Sequence, residues 1–239
     1  MSLLELNDVS KRFGGLQAVG HMSFAIEKGE ILGLIGPNGA GKTTIFNLIN
    51  GYFPPSDGTI SFNGERIDGL KPHVVCARGL ARTFQVVKPL ARLTVLENVM
   101  VSAFGRARDR EEARKTALEA IAFTELEDWT ERKAGSLPLG MRKRLEMARA
   151  LATKPELLLL DENFAGLNPV EVEKTIEIVK KIHQSGVTIL IIEHNMRVIM
   201  AVSLRLICIN YGEKIAEGTP REVADNQQVI EAYLGVADA

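Results

Sequence analysis

The sequence lacks several features that would place it in common classes of protein. It has only two cysteines in 239 residues, Cys76 and Cys208, and they form no CxxC pair. Two isolated thiols fit a reducing compartment and predict neither a disulfide framework nor a cysteine metal site. No apolar run approaches the roughly 18 residues that a membrane-spanning helix needs. The first residues include acids and show no basic start before an apolar core, so we expect no signal peptide.

Excess positive charge and aromatic side chains are also missing. Lysine and arginine number 29 against 30 aspartate and glutamate residues, which gives a net charge of −1, and aromatic residues make up 5%. Binding to nucleic acid needs many cations for the phosphates and aromatic rings for the bases, so the composition predicts no nucleic-acid partner. A hydrophobic fraction of 46% supports a sizeable core and excludes wholesale disorder.

The chain does contain apolar strands that alternate with helix-like segments. Three apolar runs without polar alternation, at residues 30–35, 157–160 and 187–192, predict buried strands of a mainly parallel sheet. The first 62 residues read as strands and turns around one helix-like stretch at residues 43–49, whereas residues 86–152 are rich in Ala, Arg, Glu and Leu. This pattern predicts an α/β fold with an inserted helical region.

Local turn and helix-start signals are also present. Asn63-Gly64 suggests a hairpin turn, and Tyr211-Gly212 joins two strand-like segments that resemble a final hairpin. Asn168, followed by Pro169 and Glu171, predicts the start of a helix.

The strongest motif is a glycine-rich loop between a predicted strand and a predicted helix. It reads Gly36-Pro37-Asn38-Gly39-Ala40-Gly41-Lys42-Thr43 and is followed by Thr44, which matches GxxxxGK[ST] in the required context. The glycines let backbone N–H groups turn toward phosphate oxygens at a helix N-terminus. Lys42 supplies a charge for the β- and γ-phosphates, and the Thr43 hydroxyl is a candidate Mg²⁺ ligand. The loop therefore predicts binding of ATP with Mg²⁺.

A second motif is the carboxylate pair Asp161-Glu162 at the end of the apolar run 157–160. Such a pair alone is more often a solvated strand end, but the phosphate loop favours a functional interpretation. Asp161 is then a candidate Mg²⁺ ligand, directly or through water, and Glu162 is placed to polarise an attacking water.

With these two motifs, essentially the whole chain resembles the nucleotide-binding subunit of an ABC transporter. The resemblance implies that Phe13 stacks on adenine, with Val19 nearby on the same surface. It implies that Gln85 belongs to the Q-loop, which senses Mg²⁺ and the γ-phosphate. Glu162 corresponds to the general base, and His194 to the switch histidine that contacts the γ-phosphate.

The family's signature LSGGQ corresponds to residues 137–141 here, with clear departures. Pro138 stands at the serine position, Leu139 at the first glycine and Met141 at the glutamine. The serine hydroxyl and one N–H donor are therefore lost. Gly140 and the N–H groups that open the following helix remain, so the resemblance still implies an anion site for ATP bound to the opposite subunit.

Several stretches point to one branch of the family. The Leu-Pro-x-Gly signature, residues 11–16, the D-loop segment 166–169, residues 193–196 and residues 211–220 resemble the branched-chain amino-acid importers. Urea and short-amide importers belong to the same branch. The transported substrate implied is a branched-chain amino acid, with urea or a short amide as the alternative.

The resemblance also implies an architecture and partners. The expected fold is a P-loop NTPase-type ABC cassette with a mainly parallel sheet, an N-terminal antiparallel β subdomain and an inserted helical subdomain. Residues 1–239 would form one ATP-binding domain, with a core lobe of 1–85 and 153–239 and a helical signature lobe of 86–152. Expected partners are transmembrane permeases, a second ATP-binding subunit (identical or related) and, indirectly, a substrate-binding protein.

The implied location is cytoplasmic, peripheral on the inner face of the membrane. A soluble ABC ATPase of translation or repair is the competing class, although such proteins usually carry two cassettes or long coiled-coil insertions. A P-loop kinase would leave the signature-like segment without a role.

Overall fold

The computed structural model describes residues 2–234, and its backbone contacts divide the chain into two units. One unit contains the residues up to Val75 and those from Thr188 onward, and the other contains Cys76–Val187. In chain order, the elements are β1 (Ser2–Phe13), β2 (Leu16–Glu27), β3 (Ile31–Ile35), α1 (Lys42–Ile49), β4 (Asp57–Phe62), β5 (Glu65–Arg66), α2 (Pro72–Ala77), β6 (Leu80–Arg82), α3 (Val95–Ala103), α4 (Arg110–Phe123), α5 (Leu139–Leu151), β7 (Leu157–Asp161), α6 (Pro169–Gln184), β8 (Thr188–Ile192), α7 (Met196–Val202), β9 (Arg205–Asn210), β10 (Glu213–Gly218), α8 (Pro220–Ala224) and α9 (Gln227–Leu234).

The first unit opens with an antiparallel sheet in the order β2-β1-β4-β5. Alternating burial along β1 and β2 places Leu4, Leu6, Phe24 and Ile26 in the core, which is the pattern of strands with one face covered. The predicted turn at Asn63-Gly64 joins β4 to β5 as an antiparallel hairpin. The N-terminal antiparallel subdomain is therefore confirmed.

The same unit contains parallel strands that position the glycine-rich loop. β3 is fully buried and lies between β8 and β9, and it pairs in parallel with both. Leu34 is opposite Ile192, and Ile35 is opposite Cys208, so the three strands end at the same edge. The predicted final hairpin is confirmed, because β10 pairs antiparallel with β9.

The second unit combines the parallel pair β6–β7 with the helices α3, α4 and α5. The core between these helices is rich in small side chains, including Ala113, Ala117 and Ala148, together with Val99 and Leu145. The predicted helix after Asn168 is confirmed as α6, with Asn168 as N-cap, Pro in the first turn and Glu171 closing the capping box. The fold is the α/β arrangement that the sequence predicts.

No helix within residues 2–234 is long and apolar enough to cross a membrane.

Candidate functional site

The glycine-rich loop follows β3 and leads into α1. Gly36 has a φ of +147°, and a side-chain carbon there would lie 2.1 Å from the Ile209 carbonyl oxygen. Gly41 has a φ of +104°, and a carbon there would lie 2.5 Å from the Ala18 carbonyl oxygen. Both positions therefore require glycine, for backbone conformation and for space.

Among the described residues, no side chain caps the first turn of α1, and that turn has no acidic residue. Five other helices, α3, α4, α6, α7 and α8, have side-chain caps, which are Thr94, Asp109, Asn168, Asn195 and Thr219. The loop thus leads to the N-terminus of α1, which is suited to bind an anion.

Lys42 is buried inside the loop. Its Nζ donates to the carbonyl oxygens of Gly36 at 2.6 Å and Pro37 at 2.8 Å. The lysine therefore holds the loop together from within and concentrates positive charge beside the α1 N-terminus. Thr43 is exposed and Thr44 is half-buried, in the first turn of the same helix.

His194 follows β8 at the edge of the strands where the loop follows β3. It lies two residues beyond Ile192, the partner of Leu34, and its side chain is exposed. Asn195 caps α7 by accepting from the Val198 and Arg197 backbone N–H groups, which sets the turn at His194. The structure therefore brings the switch-histidine candidate and the phosphate loop to one edge.

Phe13 ends β1 with its ring 45% exposed. It meets Phe53 edge to face at 5.2 Å between ring centroids, and Lys11 Nζ lies 5.3 Å from its centroid. A ring held in this way keeps a free area for stacking. The expectation that Val19 shares this surface is wrong: Val19 is fully buried and packs beside Gly41.

The second unit contains the carboxylate pair. Asp161 is buried at the end of β7, and its carboxylate accepts from Arg82 Nη2 at 2.7 Å. Glu162 is half-buried and has a φ of +48°, a strained conformation for a residue other than glycine. Gln85 Nε2 donates to Glu162 Oε2, so the candidates for Q-loop and general base are in direct contact.

Lys143 is a residue of this cluster that sequence reasoning missed. It lies on α5, is 3% exposed, and its Nζ donates to the backbone carbonyls of Glu162 at 3.0 Å and Gln85 at 3.2 Å. The ammonium group thus ties α5 to both candidates and supports the strained backbone at Glu162. A lysine beside Arg142 and Arg144 looks like an ordinary surface charge in the sequence, so no local signal marks it.

Replacement of Lys143 with methionine is expected to lower kcat for ATP hydrolysis at least about tenfold, with little change in the KM for ATP. A hydrogen bond to a charged group contributes roughly 1.5–3 kcal/mol, and its loss would release Glu162 and Gln85. Steady-state kinetics would measure kcat and KM separately. Lys143→Arg keeps the charge and the donors and serves as the control. A Lys143→Met enzyme with wild-type kcat would contradict the positioning role.

The segment at the signature position opens α5. In the described part of the chain no side chain caps this helix, whose N-cap is Pro138, so its first N–H groups are open to an anion. Gly140 is buried, and a side-chain carbon there would lie 2.5 Å from Glu171 Oε1. Leu139 packs against the D-loop segment at Gly166. The signature and D-loop segments of one chain therefore contact each other.

Asn163 follows the carboxylate pair directly. It is fully buried, and its Oδ1 accepts from Thr83 Oγ1. Thr83 Oγ1 also accepts from the Asp161 N–H at 3.2 Å. The amide therefore links the end of β6 to the turn that carries the carboxylate pair.

Comparisons with known proteins agree with this arrangement. A family model for ABC transporters matches residues 19–165, and one for branched-chain amino acid ATP-binding cassette transporters matches residues 213–239. The chain is 38% identical to the high-affinity branched-chain amino acid transport ATP-binding protein BraF of Pseudomonas aeruginosa, with 98% of each chain covered. It is 40% identical to the corresponding protein LivG of Salmonella typhimurium, again over 98% of both.

Solved structures give the same result for the fold. A nucleotide-free ATP-binding cassette from an ABC transporter matches with a TM-score of 0.90 at 30% identity, covering 99% of this chain and all of that one. A bacterial ABC transporter cassette solved as a dimer matches with a TM-score of 0.82 at 29% identity, over 91% of this chain and 99% of that chain. The chain therefore belongs to the ABC transporter family, as one of its ATP-binding, ATP-hydrolysing cassettes.

Proposed function

We propose that this cassette powers the uptake of branched-chain amino acids through a membrane importer. The observation that carries the substrate class is the match of residues 213–239 to the branched-chain transporter model, supported by full-length relatives with that name. A transported solute contacts the membrane subunits, so the substrate is inferred from the branch of the family. Urea or a short amide is the alternative substrate, and a soluble non-transport ATPase is the alternative class.

In the first unit, the loop residues 36–44 hold the phosphates of ATP. The open N–H groups of α1 and the buried Lys42 charge support this role, because both favour phosphate oxygens. The exposed ring of Phe13 stacks on adenine, and His194 contacts the γ-phosphate from the neighbouring strand end.

Mg²⁺ fits the oxygen donors that the chain offers. In residues 2–234, no group of three or more His, Cys, Asp or Glu side chains could hold a metal ion by itself. Mg²⁺ is commonly held by one or two protein oxygens together with substrate phosphates and water. The exposed Thr43 hydroxyl, the Gln85 amide oxygen and the buried Asp161 carboxylate are such donors. Mg²⁺ held by these donors would supply positive charge that offsets the phosphate charge during hydrolysis.

In the second unit, Glu162 acts as general base for the attacking water. Its hydrogen bond with Gln85 orients the carboxylate, and Lys143 holds the backbone beneath it. The buried Asp161 carboxylate is held at the end of β7 by its ion pair with Arg82. A base prepared in this way contributes about 10²–10⁴-fold to the rate.

Two copies, or this chain and a related one, close head to tail around ATP. Residues 86–152 form the signature lobe in this scheme, and the open α5 N-terminus at Gly140 faces the γ-phosphate bound to the opposite subunit. The similarity to a cassette solved as a dimer supports this assembly. The loss of two signature contacts at Pro138 and Leu139 predicts weak dimerisation of the isolated chain.

Replacement of Gly140 with aspartate is expected to preserve ATP binding by the monomer and to abolish ATP-driven dimerisation and permease-stimulated hydrolysis. The new carboxylate would lie beside Glu171 and facing the γ-phosphate, where like charges in a partly dry site repel by several kcal/mol. Equilibrium ATP binding, size-exclusion chromatography and turnover in the reconstituted transporter would measure the three effects.

Gly140→Ala is the matched control, because its methyl group makes the same contact with Glu171 without adding charge. We expect it to retain much of the stimulated turnover. Near-normal stimulation of the aspartate variant would mean that residues 137–141 are an ordinary helix start.

The permease partners dock on the second unit near Gln85. Phe84, Val86, Val101 and Phe104 expose between 50% and 65% of their surface, and all lie between the end of β6 and the residue that caps the C-terminus of α3. Apolar side chains exposed in this way suit burial against a partner. The cassette then lies peripherally on the cytoplasmic face of the membrane, and a substrate-binding protein acts on it indirectly, through the permeases.

Reconstitution tests the substrate class. The chain would be purified with the permease pair encoded beside its gene, placed in proteoliposomes, and supplied with the matching binding protein. We expect leucine to stimulate ATP hydrolysis and urea or acetamide to have no effect. Stimulation by urea or acetamide, with no effect of leucine, would favour the amide importer. Hydrolysis that does not respond to the permeases would favour the non-transport class.

A further inference from the structure

The C-terminal helix α9 makes a direct hydrogen bond with the phosphate loop. The backbone N–H of Gly36 donates to Tyr233 Oη at 2.8 Å, across 197 positions of sequence. The carbonyl of the same glycine accepts from Lys42 Nζ at 2.6 Å. Gly36 is buried, so both of its backbone groups depend on these partners. The first residue of the loop is therefore held from two sides, by the loop lysine and by α9.

The helix that carries Tyr233 is defined by hydrogen bonds within its own segment and packs through one buried side chain. Asn226 Oδ1 accepts from the Gln228 N–H at 2.9 Å, Gln227 Nε2 donates to Glu231 at 2.8 Å, and Val229 is 4% exposed. Tyr233 is 40% exposed, and burial of the rest of its side chain raises the pKa of the hydroxyl to about 12. The hydroxyl is thus presented to Gly36 by a defined helix.

A cavity of about 480 Å³ separates the rest of the loop from the body of α9. Asn38 and Gly39 line it on the loop side, and Gln228 and Glu231 line it on the helix side. Because open space lies between the two elements here, the loop can shift relative to the helix at little steric cost. The hydrogen bond from the Gly36 N–H to Tyr233 Oη is therefore well placed to fix the position of the first residue of the loop.

We propose that Tyr233 is a positioning residue for the phosphate loop, and that its bond to Gly36 links the docking of α9 to the binding of nucleotide. The inference rests on the proposed role of residues 36–44 in holding ATP. A buried N–H that loses its acceptor is costly, so the loop shifts when the hydroxyl is removed. Linkage requires the reverse effect as well: nucleotide binding stabilises the docked helix.

Tyr233→Phe removes the hydroxyl and keeps the ring. The Kd and KM for MgATP are expected to rise about tenfold, equivalent to about 1.4 kcal/mol, with little change in kcat. In the wild-type protein, a non-hydrolysable ATP analogue with Mg²⁺ is expected to slow hydrogen exchange of the α9 amides. The same analogue at saturation should give little protection in the variant.

Tyr52→Phe is the matched control, because it makes the same chemical change in the same unit at a side chain that is 72% exposed. An unchanged Kd in Tyr233→Phe would overturn the inference. If that variant folds poorly, the wild-type exchange experiment decides, and unchanged exchange in α9 on nucleotide binding would also overturn it. Failure of the wild-type chain to bind MgATP would instead remove the assignment of the phosphate loop on which the inference depends.

Discussion

Replacement of Lys42 with alanine is expected to lower ATP turnover by on the order of 10³-fold, because it removes the one cation within residues 36–44. The structure adds a second reason for a large effect. The ammonium group also donates to the carbonyls of Gly36 and Pro37, so its loss loosens the loop before any phosphate binds. Both kcat and the affinity for MgATP should fall. Phosphate release and equilibrium nucleotide binding would measure the two losses.

Lys71→Ala is a suitable control, since this lysine is exposed, belongs to the same unit and lies outside residues 36–44. It should leave turnover and binding unchanged, and both variants should keep the wild-type circular dichroism spectrum. Wild-type turnover in Lys42→Ala would contradict the assignment of residues 36–44 as the phosphate loop.

Replacement of Glu162 with glutamine is expected to slow hydrolysis about 10²–10⁴-fold while MgATP still binds. An amide cannot take the proton of the attacking water, but it matches the shape of the carboxylate and can still accept from Gln85. ATP should therefore remain bound, and the variant should change from monomer to dimer in size-exclusion chromatography when ATP is added.

The control for this variant is Glu131→Gln, an exposed carboxylate of the same unit, which should hydrolyse ATP at the wild-type rate. A Glu162→Gln protein that stays monomeric at saturating MgATP would count against the head-to-tail dimer. Rapid hydrolysis by the variant would count against Glu162 as general base.

Features that depend on neighbouring residues could be predicted from the sequence. The glycine spacing of residues 36–43 determines the loop, and the strand before it is apolar because both of its faces are buried. The cap at Asn168, the turn at Asn63-Gly64 and the hairpin at Tyr211-Gly212 follow from the local chemistry of helix starts and turns. These signals predict the strands correctly. Because β3 and β8 end at the same edge of the sheet, His194 and the loop lie at that edge.

Contacts between distant residues could not be predicted in the same way. Tyr233 meets Gly36, Arg82 pairs with Asp161, and Lys143 reaches the carbonyl of Glu162, each across many residues. Side chains of these types are usually solvated, and only packing in three dimensions shows which of them are buried. Val19 was expected at the surface beside Phe13 for the same reason. Successive residues of β2 lie on opposite faces of the sheet, and the register shifts between β1 and β2 change which of them face the core.

The open first turn of α1 has a consequence for how the protein behaves in different buffers. A helix whose first turn has no side-chain cap gains stability from any anion that binds its N–H groups, and sulfate or inorganic phosphate can take the place of a nucleotide. A ligand present at one hundred times its Kd raises the free energy of unfolding by about 2.7 kcal/mol. Melting temperatures measured in phosphate buffer would therefore include the bound ion. Part of the stability of this fold would be supplied by the solution rather than by the chain.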